Sequence, residues 1–461
     1  MEILPIKPFC RFRYACVTPP GSKSITNRAL ILAALRKGTT RLSGALFSED
    51  TRTMIDCLQR LGFRVTADER HKTIEVDGQG GDIPAETAEL FVANAGTTAR
   101  FLTAMLALKR GASYKIDGSE AMRKRPMAGL LDALERLGCS FEFHGERGCF
   151  PFTMHSTGIT ARNIDVDASA SSQILSALMQ IAPVAGMQNG TGTFDVFLKG
   201  KTVSRPFVAM TARMIAQFGA GVEARGNMFT CGGAYGEGDF DYAIEPDATA
   251  ASYFQMLPFL HRSSEVCIKG LDTEGLQGDA AFAAELSIPP NDLLSCALQT
   301  DVSGKSDCFV RAGTATQGFE INFNAISDTF LTLAAVAPML NAGTTLTIRG
   351  IAHTRKQETD RVAAMAAELS KIVGAENVSQ TEDSLSITSI PRDAIRARAD
   401  VAPGGKIRIA TYNDHRVAMS FGVLGTVDLR GNGTPWIEIE NPKCCGKTFP
   451  DFFEVLESIR R

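Results

Sequence analysis

Internal repetition constrains this chain more than any other feature. Six times, a short turn rich in Gly, Ser, Thr, Asn or Asp opens an apolar helix: "GSKSITNRALILAAL" at 21, "NAGTTARFLTAMLAL" at 94, "SASSQILSALMQIAP" at 169, "DATAASYFQMLPFL" at 247, "AISDTFLTLAAVAPML" at 325 and "TYNDHRVAMSFGVLG" at 411. The starts are 73, 75, 78, 78 and 86 residues apart. Each copy continues with a short strand, a polar loop, a second and more amphipathic helix, and further strand. "TTLTIRG" leads to "ETDRVAAMAAELSKIVG" just as "ASYKIDG" leads to "RPMAGLLDALERLG". A period this long is not that of a thin solenoid. Three units packed around their own buried first helices make a domain of roughly 225 residues, an ordinary size. Two such α/β domains account for all 461 residues.

Composition excludes several function classes. The formal net charge of −3 gives no basic field for a nucleic-acid partner, and no apolar run reaches the length of a membrane span. The first 20 residues lack a signal-peptide pattern, so the expected location is cytoplasmic. The 11 cysteines contain no C-x-x-C pair and the six histidines no metal spacing, so neither a disulfide framework nor a metal site is expected. Most of these thiols read as small buried apolar groups.

Against this acidic background, cations gather at helix entrances. In the first turn, Pro19, Pro20 and Gly21 break the preceding structure, Ser24 is the expected N-cap and Gly38 the expected stop. Lys23 and Arg28 then stand where amides and helix dipole favour a carboxylate or phosphate, although taken alone that segment fits a capped helix with two solvated cations better. "GSKS" lacks the upstream glycine of a Walker A loop. The loops before the second helices add "MRKRP" (122 to 126), "VSRP" (203 to 206), "HTRKQETDR" (353 to 361) and "PKCCGKTFP" (442 to 450). If these entrances face one cleft, that cleft binds small polyanions.

Seven stretches, "PPGSKSITNRALILAAL", "NAGTTARFLTA", "MRKRP", "SASSQILSAL", "ETDRVAAMAAEL", "TYNDHRVAM" and "PKCCGKTFPDFFE", resemble in order the 5-enolpyruvylshikimate-3-phosphate synthase family, enolpyruvyl transferases of the shikimate pathway. Only the stretch from about 275 to 320 is unlike it. The resemblance implies an inside-out α/β barrel of two similar domains, each of three βαβαββ units, with the active site in the interdomain cleft. One domain would hold residues 1–20 and 246–461, the other 21–245. Phosphoenolpyruvate and shikimate 3-phosphate would bind there as substrates, with no cofactor, no metal and no obligate partner, the enzyme acting as a monomer.

Matched position by position, the resemblance assigns Lys23, Gly96, Arg125, Gln173, Arg361, Arg416 and Lys447 to phosphoenolpyruvate. It assigns Lys23, Ser24, Arg28, Ser171, Ser172, Gln173, Ser204, Asp328 and Gln357 to shikimate 3-phosphate. Asp328, Glu358 and Lys23 are the catalytic candidates: Asp328 for the attacking hydroxyl, Glu358 and Lys23 sharing the C3 proton, with the division between those two open. Four positions depart from the commonest bacterial pattern: Phe207 for a tyrosine, Gln357 for a lysine, His353 for an asparagine, and Phe101, read as packing behind the donor site, for a proline. Lys356 or Arg205 could replace a missing cation at the acceptor. Arg100 reads as structural and His415 as a brace for Arg416, whereas Lys443 fits a surface cation and a ligand equally. Gly96 leaves the room that bulkier residues remove in glyphosate-tolerant relatives, which implies glyphosate sensitivity.

Two other readings share this pattern. An enolpyruvyl transferase with a different hydroxyl acceptor is one, although the UDP-sugar enzyme's loop cysteine has no counterpart, since no cysteine lies between Cys57 and Cys139. A catalytically silent anion-binding homologue is the other, and it would be marked by loss of Asp328 or Glu358. Counting six cations against two polyanionic substrates further predicts mutual repulsion among the cations of an empty site, and domains that close on binding.

Overall fold

The computed structural model describes residues 2–168, 171–200, 205–288, 293–301, 305–313 and 319–460. The chain divides into two compact units, Gly21–Glu245 on the one hand and Met1–Pro20 with Pro246–Arg461 on the other.

Within Gly21–Glu245 the helices Lys23–Leu35, Gly96–Leu106 and Ser172–Gln188 are apolar on nearly every side, and almost all their residues are buried. They pack on one another, and three four-stranded sheets are built around them. In each sheet, the strands before and after the buried helix pair in parallel. Asn163–Asp167 and Thr193–Lys199 flank the helix Ser172–Gln188 in this way. The last two strands, Gly221–Arg225 and Met228–Gly232 in that unit, form an antiparallel hairpin on the second of the parallel pair. The repeat read from sequence therefore closes as β-α-β-α-β-β. For the helix Lys23–Leu35, the opening strand arrives from the far end of the segment: Phe240–Ala243 pairs in parallel with Lys37–Ser43.

The second unit repeats the plan around Ala248–Gln255, Phe330–Val336 and His415–Leu424, the first two packing on the third. Here the strand Tyr14–Val17 opens the unit of Ala248–Gln255 by pairing in parallel with Glu265–Ile268. Ile3–Pro5 completes the last sheet, antiparallel to Ile437–Glu440. Among the described residues that sheet has three strands and the other five have four. Part of the unfamiliar 275–320 stretch forms an ordinary hairpin, Leu294–Thr300 with Ser306–Ala312.

Polar turn residues start several of these helices by accepting orphan amides. Asp247 accepts from Ala250 N, Ser171 from Gln173 N, Asp360 from Ala363 N and Asp414 from Arg416 N. Ser24 does not do this. The N-cap is Ser22, without a side-chain bond, and Ser24 is the helix's second residue. Nor does Gly38 end the helix, which stops at Leu35; Gly38 sits at φ +107° inside the strand Lys37–Ser43.

Of the cysteines, Cys57, Cys139, Cys231, Cys267, Cys308 and Cys445 are buried, and all 11 are free thiols. Among the described residues no helix is long and apolar enough to cross a membrane, and no group of three or more His, Cys, Asp or Glu is placed to hold a metal ion.

Close approach of helix and sheet fixes one glycine. A Cβ on Gly78 would stand 2.0 Å from the Ala33 carbonyl oxygen and 2.1 Å from that of Arg36, both backbone atoms that cannot turn aside. Gly78→Ala is expected to lower unfolding stability by about 3 kcal/mol, as overpacking does. In Gly221→Ala the new atom meets nothing nearer than 3.7 Å, and the loss should stay below about 1 kcal/mol. Urea denaturation of both variants measures the difference.

Candidate active site

In the unit containing Pro246–Arg461, candidate residues from four chain segments form one connected network. Asp328 lies on the turn before the helix Phe330–Val336, and Gln357 and Glu358 precede the helix Arg361–Val373, of which Arg361 is the first residue. Arg416 is the second residue of His415–Leu424, and Lys447 ends the turn Pro442–Lys447. The Arg361 guanidinium, with its side chain only 2 % exposed, donates to Asp328 (3.1 Å), Glu358 (2.8 Å) and Asp414 (2.8 Å). Arg416 Nη2 donates to the other Asp328 oxygen at 2.8 Å, and Lys447 Nζ stands 2.9 Å from Glu358. Gln357 joins from the side: its amide nitrogen donates to Asp328 at 3.3 Å, and its oxygen accepts a short bond from Arg361.

Mutual repulsion among the cations is therefore not what this unit shows. Three carboxylates, Asp328, Glu358 and Asp414, are interleaved with three cations, Arg361, Arg416 and Lys447. Burial pushes the Asp328 carboxyl up, but Arg416 and then Arg361 outweigh it and hold the group below the usual carboxylate range. Asp328 is consequently ionised at neutral pH. His353 donates or accepts at Ser327 Oγ (2.7 Å), bracing the turn that carries Asp328, and burial lowers its pKa despite the carboxylate nearby.

In Gly21–Glu245 the helix entrances hold cations of a different kind. Lys23 Nζ lies 3.2 Å from Asp50. Arg28 is 1 % exposed, not solvated. It donates to Thr211 Oγ1 (2.8 Å), Ser24 O (2.9 Å), Ser176 Oγ (3.4 Å) and Phe207 O (3.4 Å). Burial lowers its pKa to about 9, which leaves it charged at neutral pH. Its guanidinium stacks over Phe101 at 5.1 Å and Phe207 at 5.9 Å. Phe101 thus packs against Arg28, the arginine assigned to the acceptor.

Arg100 bonds Gly96 O, Gln173 Oε1 and Pro126 O, all at 3.0 to 3.1 Å, tying three segments together as a structural residue should. Arg125 donates to Asn94 O at 3.3 Å. A Cβ on Gly96 would meet Arg125 Nη2 at 2.7 Å and Arg100 Nη1 at 2.9 Å, so two guanidiniums converge on one helix N-terminus. Such a place suits an anion. Ser171 and Ser172 begin the helix Ser172–Gln188 that carries Gln173. Ser204 lies outside the described residues.

Of the remaining expectations, Lys443 pairs with Glu2 at 2.9 Å and its side chain is 82 % exposed, which makes it a surface cation. Lys356 and Arg205 are exposed. His415 is buried with Nδ1 3.8 Å from Asp414 Oδ1, at the same N-cap that holds the Arg416 amide.

Sequence reasoning passed over Asp414, Asp50 and Asp279. Asp414 carried a readable signal, an Asp one residue before an apolar helix, but its second role against Arg361 depends on a residue 53 positions away. Asp279 is buried and accepts a short bond from Thr249 Oγ1. Burial, and then Asp328, push its carboxyl up to about 7.

Two expected outcomes test this geometry. Gly96→Ala must displace both the Arg125 tip and the buried Arg100 tip that ties three segments together, so unfolding stability in urea denaturation should fall by about 1 to 3 kcal/mol. For Asp279 the folded pKa lies above the unfolded one. The folded protein therefore binds the extra proton between roughly pH 4 and the folded pKa, and the group's contribution to stability declines as pH rises through that window. Asp279→Asn removes this decline, so the melting temperature of the variant relative to the native chain should be higher at pH 8 than at pH 5.

Comparison with known proteins places this chain in a family. Residues 14–456 match the family model described as EPSP synthase (3-phosphoshikimate 1-carboxyvinyltransferase). The 3-phosphoshikimate 1-carboxyvinyltransferase of Opitutus terrae is 45% identical, the alignment covering 100% of this chain and 98% of that one; its counterpart in Nostoc punctiforme is 39% identical over 96% of each. Among solved structures, an EPSP synthase from Acinetobacter baumannii superposes with a TM-score of 0.76 at 22% identity, covering 100% of this chain and 98% of that one. The enolpyruvyl transferase NikO from Streptomyces tendae does so at 0.66 and 15% identity, covering 99% and 97%. Those two likenesses establish the shared two-domain α/β fold. With the family model matched from residue 14 to 456 and relatives of this identity aligned nearly end to end, the chain belongs to the EPSP synthase family.

Proposed function

We infer that the chain transfers the enolpyruvyl group of phosphoenolpyruvate to the 5-hydroxyl of shikimate 3-phosphate and releases phosphate. The observation that carries the residue assignment is the network joining Asp328, Glu358, Arg361, Arg416 and Lys447. In the addition step the hydroxyl oxygen attacks C2 as C3 gains a proton, giving a tetrahedral ketal. In the elimination step phosphate leaves C2 and C3 returns the proton. The chemistry needs a base at the hydroxyl, an acid/base at C3, and cations at the donor's carboxylate and phosphate.

Asp328, ionised and held by two arginines, is the proposed base. Glu358 and Lys23 are the proposed pair for the C3 proton. Arg361, Arg416 and Lys447, with Lys23, Gly96, Arg125 and Gln173, bind the donor. Arginines match planar carboxylates and phosphates with two parallel bonds. Ser24, Arg28, Ser171, Ser172, Ser204 and Gln357 serve the acceptor. The two compact units are proposed as the two transferase domains, and the enzyme as a cytoplasmic monomer.

The test is phosphate release from the two substrates in the presence of a chelator. Native protein should release phosphate steadily, and Asp328→Ala should lose about 10²- to 10⁴-fold in kcat, the usual scale for removing a general base. Binding of phosphoenolpyruvate without phosphate release would instead point to another acceptor, and Gln357→Lys would then be assayed.

A further inference from the structure

The two donor arginines begin two different helices, so something must fix the spacing between those helices. One tie is local: Arg361 Nε donates to Asp414, the N-cap of the helix that carries Arg416. A second tie lies two turns further along Arg361–Val373. There Glu368, fully buried, accepts the Tyr412 hydroxyl at 2.8 Å on one oxygen, and the Ala410 amide at 3.1 Å and Lys371 on the other. Lys371 in turn donates to Arg408 O at 3.0 Å. One carboxylate thus grips both sides of Thr411.

Beyond Thr411 the backbone is strained. Tyr412 and Asn413 are consecutive non-glycine residues at φ +54° and +58°, in the left-handed region that side chains avoid. This turn brings the chain back so that Asp414 reaches Arg361. Its second residue also holds the third donor cation's loop, because Asn441 Nδ2 donates to Asn413 Oδ1 at 3.0 Å just before Pro442–Lys447. A strained turn persists only where its surroundings over-determine it, and Glu368 supplies that constraint from the helix that begins with Arg361.

We propose that Glu368 is a positioning residue for donor binding: by fastening Ala410 and Tyr412 to the helix Arg361–Val373, it holds the Tyr412–Asn413 turn that spaces Arg361, Arg416 and Lys447. This rests on the reading of those three cations as phosphoenolpyruvate ligands. Glu368 touches no reacting atom, so its loss moves the donor's KM and leaves the acceptor's KM nearly alone. A purely structural acid would change stability without that selectivity.

The experiment is steady-state kinetics of the full chain with Glu368→Ala, Glu368→Gln, Tyr412→Phe and Arg416→Lys, each with a thermal melt. Glu368→Ala should raise the phosphoenolpyruvate KM at least tenfold while the shikimate 3-phosphate KM stays within threefold. Glu368→Gln, which keeps an acceptor for the turn, should recover most of the donor KM. Tyr412→Phe, which removes one hydroxyl, should raise it two- to fivefold, and this variant decides the matter if Glu368→Ala does not fold. Both KM values rising together, or a donor KM within twofold of native in Tyr412→Phe and in any folded Glu368→Ala, would overturn the proposal. Arg416→Lys separates the levels: a raised donor KM there with unmoved Glu368 and Tyr412 variants refutes only the role of Glu368, whereas an unmoved donor KM refutes the ligand assignment and this proposal with it.

Discussion

Arg361 and its three carboxylates are the interaction on which the rest of the site depends. A guanidinium removed from water costs several kcal/mol unless its donors are met, and here Asp328, Glu358 and Asp414 meet them on three sides. Each partner reaches Arg361 from a different place: a turn before one helix, the loop before Arg361's own helix, and the cap of a third. The ion cluster therefore also sets where those elements end. Losing one carboxylate would leave the arginine short of charge and loosen two segments at once, which couples stability to site geometry more tightly than a surface pair could.

The buried arginines of Gly21–Glu245 solve the same problem differently. Arg28 donates to hydroxyls and carbonyls, and the two Nη atoms of Arg100 donate to carbonyls and a side-chain amide oxygen while its buried Nε has no hydrogen-bond partner among the described residues. Neutral acceptors meet the donors' geometry while leaving the positive charge of these two arginines uncancelled, whereas Lys23 at the first entrance is paired with Asp50. In the other unit the guanidiniums of Arg361 and Arg416 are already held by the carboxylates of Asp328, Glu358 and Asp414.

The sequence made the repeat legible because the buried first helices are apolar all round and their entrances are polar, a contrast that survives without any structure. It also exposed the cations, which stand out against apolar runs. It could not show which cation meets which acid. Asp50 and Lys23 are 27 residues apart and Asp328 and Arg416 are 88 apart. Local patterns say nothing about such pairs. Ser24 was misplaced as a cap for a related reason: two serines flank Lys23, and only the chain's entry into the helix decides that Ser22 takes the position. The closing strands Phe240–Ala243 and Ile3–Pro5 were equally silent, being short and separated from their partners by most of a domain or of the chain.

Gln357 alters the charge balance more than its size suggests. The ion-paired cluster contains three carboxylates and three cations and is formally neutral. A lysine at 357 would give it an excess positive charge beside Arg361. With glutamine, the position keeps its place in the network through an amide that both donates to Asp328 and accepts from Arg361. The aromatic pair Phe101 and Phe207 acts in the opposite sense in the other unit. It encloses Arg28 in π faces that stabilise the cation without neutralising it.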